Sequence, residues 1–398
     1  MSISQRARNT APSPTLGITA KINALRAQGV DVVGFGAGEP DFDTPDHIKQ
    51  AAIEALNAGY TKYTPSSGAV DLKDAIIAKL ARDNGLNYRR ENIIVSAGAK
   101  HSLYNVMQAL LDPGDEVLIP VPYWVTYPEQ VRLAEGKSVF VQTAPEDDFM
   151  PTADAVLEAI TPRTKALILN SPSNPTGGVA SRKTVEALAE LAVRHDFYLI
   201  SDEIYEKLLY DGRKHVSPGA LSDAVFQRTI TINGCSKAYS MTGWRIGYAA
   251  AADKELVAAM GRLQDQSTSN PTSIAQKAAV AALNGPEEPV EAMRQAFEER
   301  RDLIVEKLNA IPCVTCRAPG GAFYAFPNIG QVLGRRAGER VIQGSDDLAD
   351  YLLTEFHVGV VPGSGFGADD YIRLSYATSR ENILKGLERI DAGIRKLE

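Results

Sequence analysis

The run Thr231-Ile-Asn-Gly234-Cys-Ser-Lys237-Ala-Tyr-Ser-Met-Thr-Gly-Trp244-Arg245-Ile-Gly-Tyr-Ala-Ala-Ala251 decides how this chain is read. It opens as a β-branched strand, breaks at Gly234 and leaves a lysine on the loop beyond. A second apolar strand, Trp244 to Ala251, follows at once. Lys237 is therefore expected near the domain interior, where an ammonium is costly unless paired or used. Arg245 is close enough in sequence to serve the same pocket. Such a lysine suits Schiff-base chemistry: desolvation or a nearby cation lowers its pKa from about 10.4 and frees the amine as a nucleophile. A lysine snorkelling to the surface beside a turn would look the same locally.

The 398 residues exceed one small core and call for a large domain with a smaller companion. A hydrophobic content of 44 % with 23 % charged residues is the balance of a globular chain rather than a disordered one. The net charge of −7 offers no basic footprint for nucleic acid or an anionic membrane. No apolar run reaches the roughly 20 residues of a membrane helix. The first eight residues are polar, with no signal core behind them, so the expected location is cytoplasmic. Three cysteines argue against a disulfide framework. Cys313 and Cys316 form a C-x-x-C without a second pair and read as part of a strand; Cys235 reads as a packing residue.

Outward from the opening run, residues 1–30 hold a Pro-marked arm and an amphipathic stretch, Ile18 to Leu25. A short strand from Val32 enters a glycine-rich turn, Gly36 to Gly38. Thr44 is expected to cap a helix with Pro45 at its first position, ending near Gly59. A second helix should run from Ala69 to Asn84, closed by Gly85. Strands and helices then alternate. The strands are Asn92–Ser96, Glu116–Pro120, Lys137–Gln142, Ala166–Asn170, Tyr198–Ser201, Arg228–Asn233 and Trp244–Ala251; helices include Lys100–Leu111 and Arg182–Arg194. This predicts an α/β fold: a mainly parallel seven-stranded sheet with helices on both faces. Past Gly285 a long helix (Val290–Leu308), short strands around Cys313–Arg317, Ala322–Phe326, Val358–Pro362 and Ile372–Ala377, and helices Ser345–Phe356 and Arg380 onward form a smaller α+β domain. The expected division is 1–45 for the arm and a segment of the small domain, 46–285 for the large domain, and 286–398 for the small C-terminal domain.

In such sheets ligands bind at the carboxyl ends of the strands, and the polar motifs fall there. Gly98-Ala99-Lys100 opens a helix and offers backbone amides to an anion; His101 beside it reads as a helix residue. Asn174 stands in a rigid loop of two prolines and two glycines. Asp202 ends an apolar strand and needs a cationic or donor partner, with Tyr205 on the same side if a helical turn begins there. Trp124 is one of only two tryptophans and can stack on a flat ligand. Arg373 lies on an alternating strand and can fork a carboxylate. A plain turn, a helix cap, core packing and a surface ion pair explain each of these singly. Together they fit one ligand, a planar pyridine aldehyde phosphate.

Asn170-Ser-Pro-Ser-Asn-Pro-Thr-Gly177, Ser201-Asp-Glu-Ile-Tyr205, Ser236-Lys237 with Gly243-Trp-Arg-Ile-Gly-Tyr248, and Arg373-Leu-Ser-Tyr-Ala377 resemble fold-type I, class I pyridoxal-phosphate aminotransferases over nearly the whole chain. Ala37 to Pro45, Pro122 to Glu129 and Met241 to Arg245 resemble the prokaryotic aspartate aminotransferases of the Bacillus and Thermus subgroup. The resemblance implies pyridoxal 5'-phosphate as cofactor, carried by Lys237, the catalytic residue that moves the substrate's Cα proton. It implies Asp202 at the pyridine nitrogen, Asn174 and Tyr205 at the ring oxygen, and Trp124 on the ring face. Gly98, Ala99, Ser236 and Arg245 would hold the phosphate beside Lys100, with Tyr63 from the partner of a homodimer. Gly38, Trp124, Asn174 and Arg373 would frame the substrate α-carboxylate, and Lys100 the distal one.

The activity so implied is ping-pong amino transfer from L-aspartate to 2-oxoglutarate. Aromatic, alanine, kynurenine or prephenate/glutamate transamination and β-elimination remain alternatives on the same fold. Ala11 stands where Thermus-like and rhizobial members carry a lysine linked to prephenate. A non-enzymatic regulator would need an added DNA-binding module, and no basic helix-turn-helix segment precedes residue 30.

Overall fold

A computed structural model describes residues 3–398; Met1 and Ser2 of the polar start lie outside the described residues. Seven strands form the main sheet: β1 (Ile93–Ser96), β2 (Glu116–Val121), β3 (Lys137–Gln142), β4 (Thr164–Asn170), β5 (Tyr198–Asp202), β6 (Thr229–Gly234) and β7 (Gly247–Ala251). Their order is β1-β7-β6-β5-β4-β2-β3. All pairings are parallel except those of β7, which runs antiparallel to both β1 and β6. Side chains alternate between two apolar layers, as a sheet covered on both faces requires. Ile94, Ile200, Ile230, Ile232 and Ala249 point into one; Ile93, Val95, Leu199, Tyr248 and Ala250 point the other way.

The reversed strand matters for function. Because β7 starts where its neighbours end, Gly247 stands level with Ser96 and with Gly234. The loops after β1, β2, β4, β5 and β6, and the one before β7, therefore open on a single edge. At that edge Gly247 presses against the backbone of Gly98 and Ala99, and a Cβ there would collide with the Ala99 amide.

A second body packs against this edge. Val33–Gly34 pairs in parallel with Val358–Gly359, beside a three-stranded antiparallel sheet of Val361–Pro362, Ile372–Ser375 and Tyr324–Ala325. Val33 and Phe35 share one apolar cluster with Tyr324, Val358, Leu374 and Ile390, and Tyr205 and Leu208 reach into it from the loop after β5.

Local expectation and structure part at four places. The helix expected to start at Pro45 begins at Asp46 with Pro45 as its cap. Thr44 makes no helix cap because its hydroxyl is spent on a tertiary bridge, donating to the Ser240 carbonyl and accepting from the Trp244 indole at 2.9 Å. Trp244 belongs to a 3-10 turn, Thr242–Trp244, and the strand starts only at Gly247 because Arg245 takes a left-handed φ of 58°. The helix expected over Ala69–Asn84 changes to a π turn at Leu80–Asn84 before Gly85 ends it. Around Cys313–Arg317 no strand forms, only a single bridge from Thr315 to Asn328, since Cys313 has a positive φ of 64°.

Two glycine substitutions should therefore act in opposite directions. Gly247→Ala forces backbone apart and should lower stability by about 2 kcal/mol or more. Gly261→Ala, in the open interior of the helix Lys254–Ser267, should raise it by roughly 0.5–1 kcal/mol. Denaturant unfolding of both variants checks the pair.

Candidate active site

The shared edge encloses a cavity of ≈ 650 Å³ between the two bodies. Lys237, Asp202, Tyr205, Asn174, Trp124, Ala99, Lys100, Ser236, Arg245, Gly38 and Arg373 all line it. Gly98 stands just behind, with φ of +91°, and any Cβ on it would strike the Arg245 guanidinium. Besides Gly98, Tyr63 is the expected site residue absent from this wall; it is 91 % exposed on its own chain.

Lys237 follows β6 on a tight turn, its stem half-buried and its amine deep in the cavity, donating to the Gly38 carbonyl. Burial, then the Arg373 charge, pull its ammonium down to about 8; Glu39 partly offsets them. Asp202 ends β5 and is buried, and desolvation pushes its carboxyl up to about 6 against the hydrogen bond from Tyr127. That phenol donates to Oδ2 at 2.7 Å, and the Ile204 amide donates to Oδ1 at 3.3 Å. No cation of the described residues pairs with Asp202. Tyr205 meets Tyr324, hydroxyl to hydroxyl, at 2.8 Å.

Arg373 is 1 % exposed and has no acidic partner among the described residues. Its two terminal nitrogens donate to Asn174 Oδ1 and to the Gly36 carbonyl, each at 3.0 Å. Its Nε is left without any partner. The Tyr324 ring lies 4.5 Å below the guanidinium. A buried cation with a free donor is a receptor for an anion. At the cavity mouth Lys100 is exposed, 4.9 Å from the Trp124 ring centre, and likewise unpaired among the described residues. Partial desolvation and the Arg245 charge lower its ammonium pKa.

Arg245 stands over the start of the helix Ala99–Leu110, donating to the carbonyls of Thr242 and Ala97 at 2.8 and 3.2 Å. A helix N-terminus beside a guanidinium, opened by small residues, is an anion cradle. His101 accepts from the Ala97 amide at 3.2 Å and acts as a brace for this turn. Cys235 is buried beside it with its thiol pushed up to about 12, which marks it as packing.

Three contributors escaped sequence reasoning. Tyr127 lies one helical turn beyond Trp124, a spacing that placed both on one side and so was readable. Tyr324 comes from the other body and has no local signal. Glu39 accepts from the Thr242 hydroxyl at 2.8 Å and ties the Gly38 turn to the Lys237 loop; its partner lies two hundred residues away.

A helix-opening turn suited to a phosphate, a buried carboxylate with no cation among the described residues and a lysine lowered to about 8 fit the groups of pyridoxal 5'-phosphate. The class this fold and site define is confirmed by comparison. Residues 30–390 match the family described as Aminotransferase class I and II, and the chain belongs to that family of pyridoxal-phosphate enzymes. It is 54 % identical to the aspartate aminotransferase of Geobacillus stearothermophilus, over 98 % of each chain. It is 49 % identical to the aspartate/prephenate aminotransferase of Thermus thermophilus, over 97 % of each. The crystal structure of the aspartate aminotransferase from Rhizobium meliloti superposes with a TM-score of 0.96 at 46 % identity, covering 100 % of both chains.

Burying Asp202 has a measurable cost in the cofactor-free protein. Its folded pKa is raised, so the penalty is absent below the unfolded value of 3.8 and grows as pH rises through about 6. Asp202→Asn should stabilise the cofactor-free protein at pH 8 by roughly 1–3 kcal/mol, with the gain vanishing at pH 4. Thermal melts of both proteins across that range decide it.

Proposed function

We propose that this aminotransferase moves the amino group of L-aspartate to 2-oxoglutarate, using pyridoxal 5'-phosphate. The observation that carries the substrate assignment is that, besides Lys237 and Arg245, which this reading gives to the cofactor, two further cations, Arg373 and Lys100, line the cavity without acidic partners among the described residues. A dicarboxylate offers one carboxylate to each. The two relatives and the solved structure above bear names that include aspartate.

When bound, the cofactor supplies an electron sink that acidifies the Cα–H of an amino acid joined to its aldehyde. The chain supplies the rest. Lys237 Nζ would hold the cofactor through its aldehyde, and as a free amine would take the substrate's Cα proton and return it. A lysine lowered to about 8 can do both near neutral pH. The Asp202 carboxylate would accept from the ring N–H and favour a positive charge on that nitrogen. Asn174 spends its Oδ1 on Arg373, which leaves its amide N–H₂ for the ring oxygen together with the Tyr205 hydroxyl. Gly98, Ala99, Ser236 and Arg245 take the phosphate, Trp124 covers the ring, and Gly38 and Arg373 frame the α-carboxylate.

The same reading makes the protein a homodimer. Tyr63 is 91 % exposed and Ile53 and Leu56 are exposed on the helix Asp46–Asn57, which suits a second copy that receives Tyr63 at its phosphate site. We assign 1–45 and 286–398 to the small domain and 46–285 to the large one, since Val33 and Phe35 pack with C-terminal residues. Three free cysteines fit a reducing compartment, the cytoplasm.

Half-reactions test the assignment. The yellow holoenzyme, mixed with single amino acids, should convert fastest with aspartate and glutamate. Lys100→Ala should cut kcat/KM for aspartate by roughly five- to tenfold, in line with the loss of one solvent-screened charge contact, and leave alanine nearly unchanged. A wild-type response to phenylalanine or alanine alone would favour the other transaminases. Borohydride reduction followed by peptide mapping should label Lys237.

A further inference from the structure

The segment that carries Asp202 and Tyr205 is held from behind by a buried ionic cluster. Asp202 and Tyr205 face the cavity, whereas Glu203 and Glu206 turn away from it and are buried. Glu203 accepts from the hydroxyls of Ser201 and Ser217 at 2.8 and 2.7 Å, and its Oε2 lies 3.0 Å from His215 Nε2. Glu206 pairs with Lys79 and accepts from Asn233 at 2.8 Å. Asn84 bridges the two acids, its amide nitrogen 3.1 Å from Glu203 and 2.6 Å from Glu206, while its carbonyl accepts from Lys79 at 2.7 Å.

Two carboxylates in the interior call for positive charge nearby. Lys79 supplies one. His215 lies beside Glu203: burial opposes its protonation, and Glu203 and Glu206 raise its pKa. Glu203, Glu206 and His215 lie close enough together to ligate a metal ion, yet the Lys79 ammonium already sits on Glu206. The cluster is thus a hydrogen-bonded ionic clamp made of protein groups. Its geometry is more costly than a packed apolar core of the same volume, and its reach ends one residue from each cavity-facing side chain.

We propose that Glu203 and Glu206, clamped by Asn84, Lys79 and His215, are positioning residues that fix the aim of Asp202 and Tyr205 at a planar ring bound in the cavity. The inference rests on the pyridoxal 5'-phosphate reading above. A stack of strands alone would hold Asp202, at the end of β5, but not Tyr205, which lies beyond it on a turn. The clamp grips that turn on both sides, at positions 203 and 206.

The test compares wild-type holoenzyme with Glu203→Gln, Asn84→Ala and Ser217→Ala. Ser217→Ala removes two hydrogen bonds, to Glu203 and from Asn84, and no charge, so it keeps the inference testable should the other two fail to fold. Leu188→Ala, in the apolar layer beneath β4 and β5, serves as a control of comparable stability loss. Pyridoxal 5'-phosphate release and the visible circular dichroism of the bound ring are recorded beside the melting temperature. Clamp variants should release the cofactor between about ten- and a hundredfold faster, with a weakened or inverted dichroic band, while the control keeps both wild-type values. Clamp variants that melt earlier but hold the cofactor and its dichroic band unchanged would overturn the inference. A wild-type protein that takes up no pyridoxal 5'-phosphate would instead sink the functional reading itself.

Discussion

Charged groups of both signs are held in one cavity without pairing with one another, and the rest of the structure serves that constraint. Lys237, Asp202 and Arg373 share the cavity wall, and in a low-dielectric space opposite charges close together would collapse into an ion pair. Each is tethered by neutral groups instead. The Gly38 carbonyl takes the lysine, the Tyr127 phenol and Ile204 amide take the aspartate, and Asn174 with the Gly36 carbonyl take the arginine. Neutral tethers leave the charges uncompensated and therefore reactive toward an incoming ligand. The raised Asp202 and lowered Lys237 are two faces of the same desolvation, and both are stability given up for a site.

Such tethers must come from different parts of the chain, and the sheet order supplies them. With β7 reversed, the Lys237 loop and the Arg245 turn both leave the edge at which β5 delivers Asp202. The second body adds Arg373 and Tyr324 from above, and the Gly36–Glu39 turn crosses between the two. Small residues let the layers approach: Gly98 against Arg245, and Gly247 against the turn that opens the helix Ala99–Leu110.

Much of this was legible in the sequence, for reasons of range. Strand Lys137–Gln142 and helices Arg182–Arg194 and Ser345–Phe356 fall where their periodicity and caps put them, because those signals are local. So are the strand-end motifs, whose short spacing fixes which side chains emerge at one edge. What stayed hidden depends on partners far along the chain. Thr44 has every local mark of a cap, but Trp244 and Ser240 bid for the same hydroxyl and win. Trp244 looks like the first residue of a strand until the left-handed Arg245 turns the backbone. Tyr324 sits in a two-residue strand whose only distinction is the arginine beneath it.

The contrast between Arg373 and Lys100 bears on selectivity. Arg373 is buried, its planar fork already oriented by Asn174 and Gly36, so little entropy remains to be lost when a carboxylate arrives. A carboxylate on the α-carbon is common to all amino acids, and a rigid, desolvated receptor suits a group that never varies. Lys100 is an exposed, flexible ammonium resting near the Trp124 ring, where solvent screens its charge. Such a group can reward a distal carboxylate without building a wall against other side chains. Exclusion would need a clash or an unpaired polar atom in the way of the wrong substrate, and the Trp124 ring beside Lys100 tolerates apolar surface. On the proposed reading, discrimination comes from attraction at the distal end, which would make the preference for dicarboxylates a matter of degree set by Lys100.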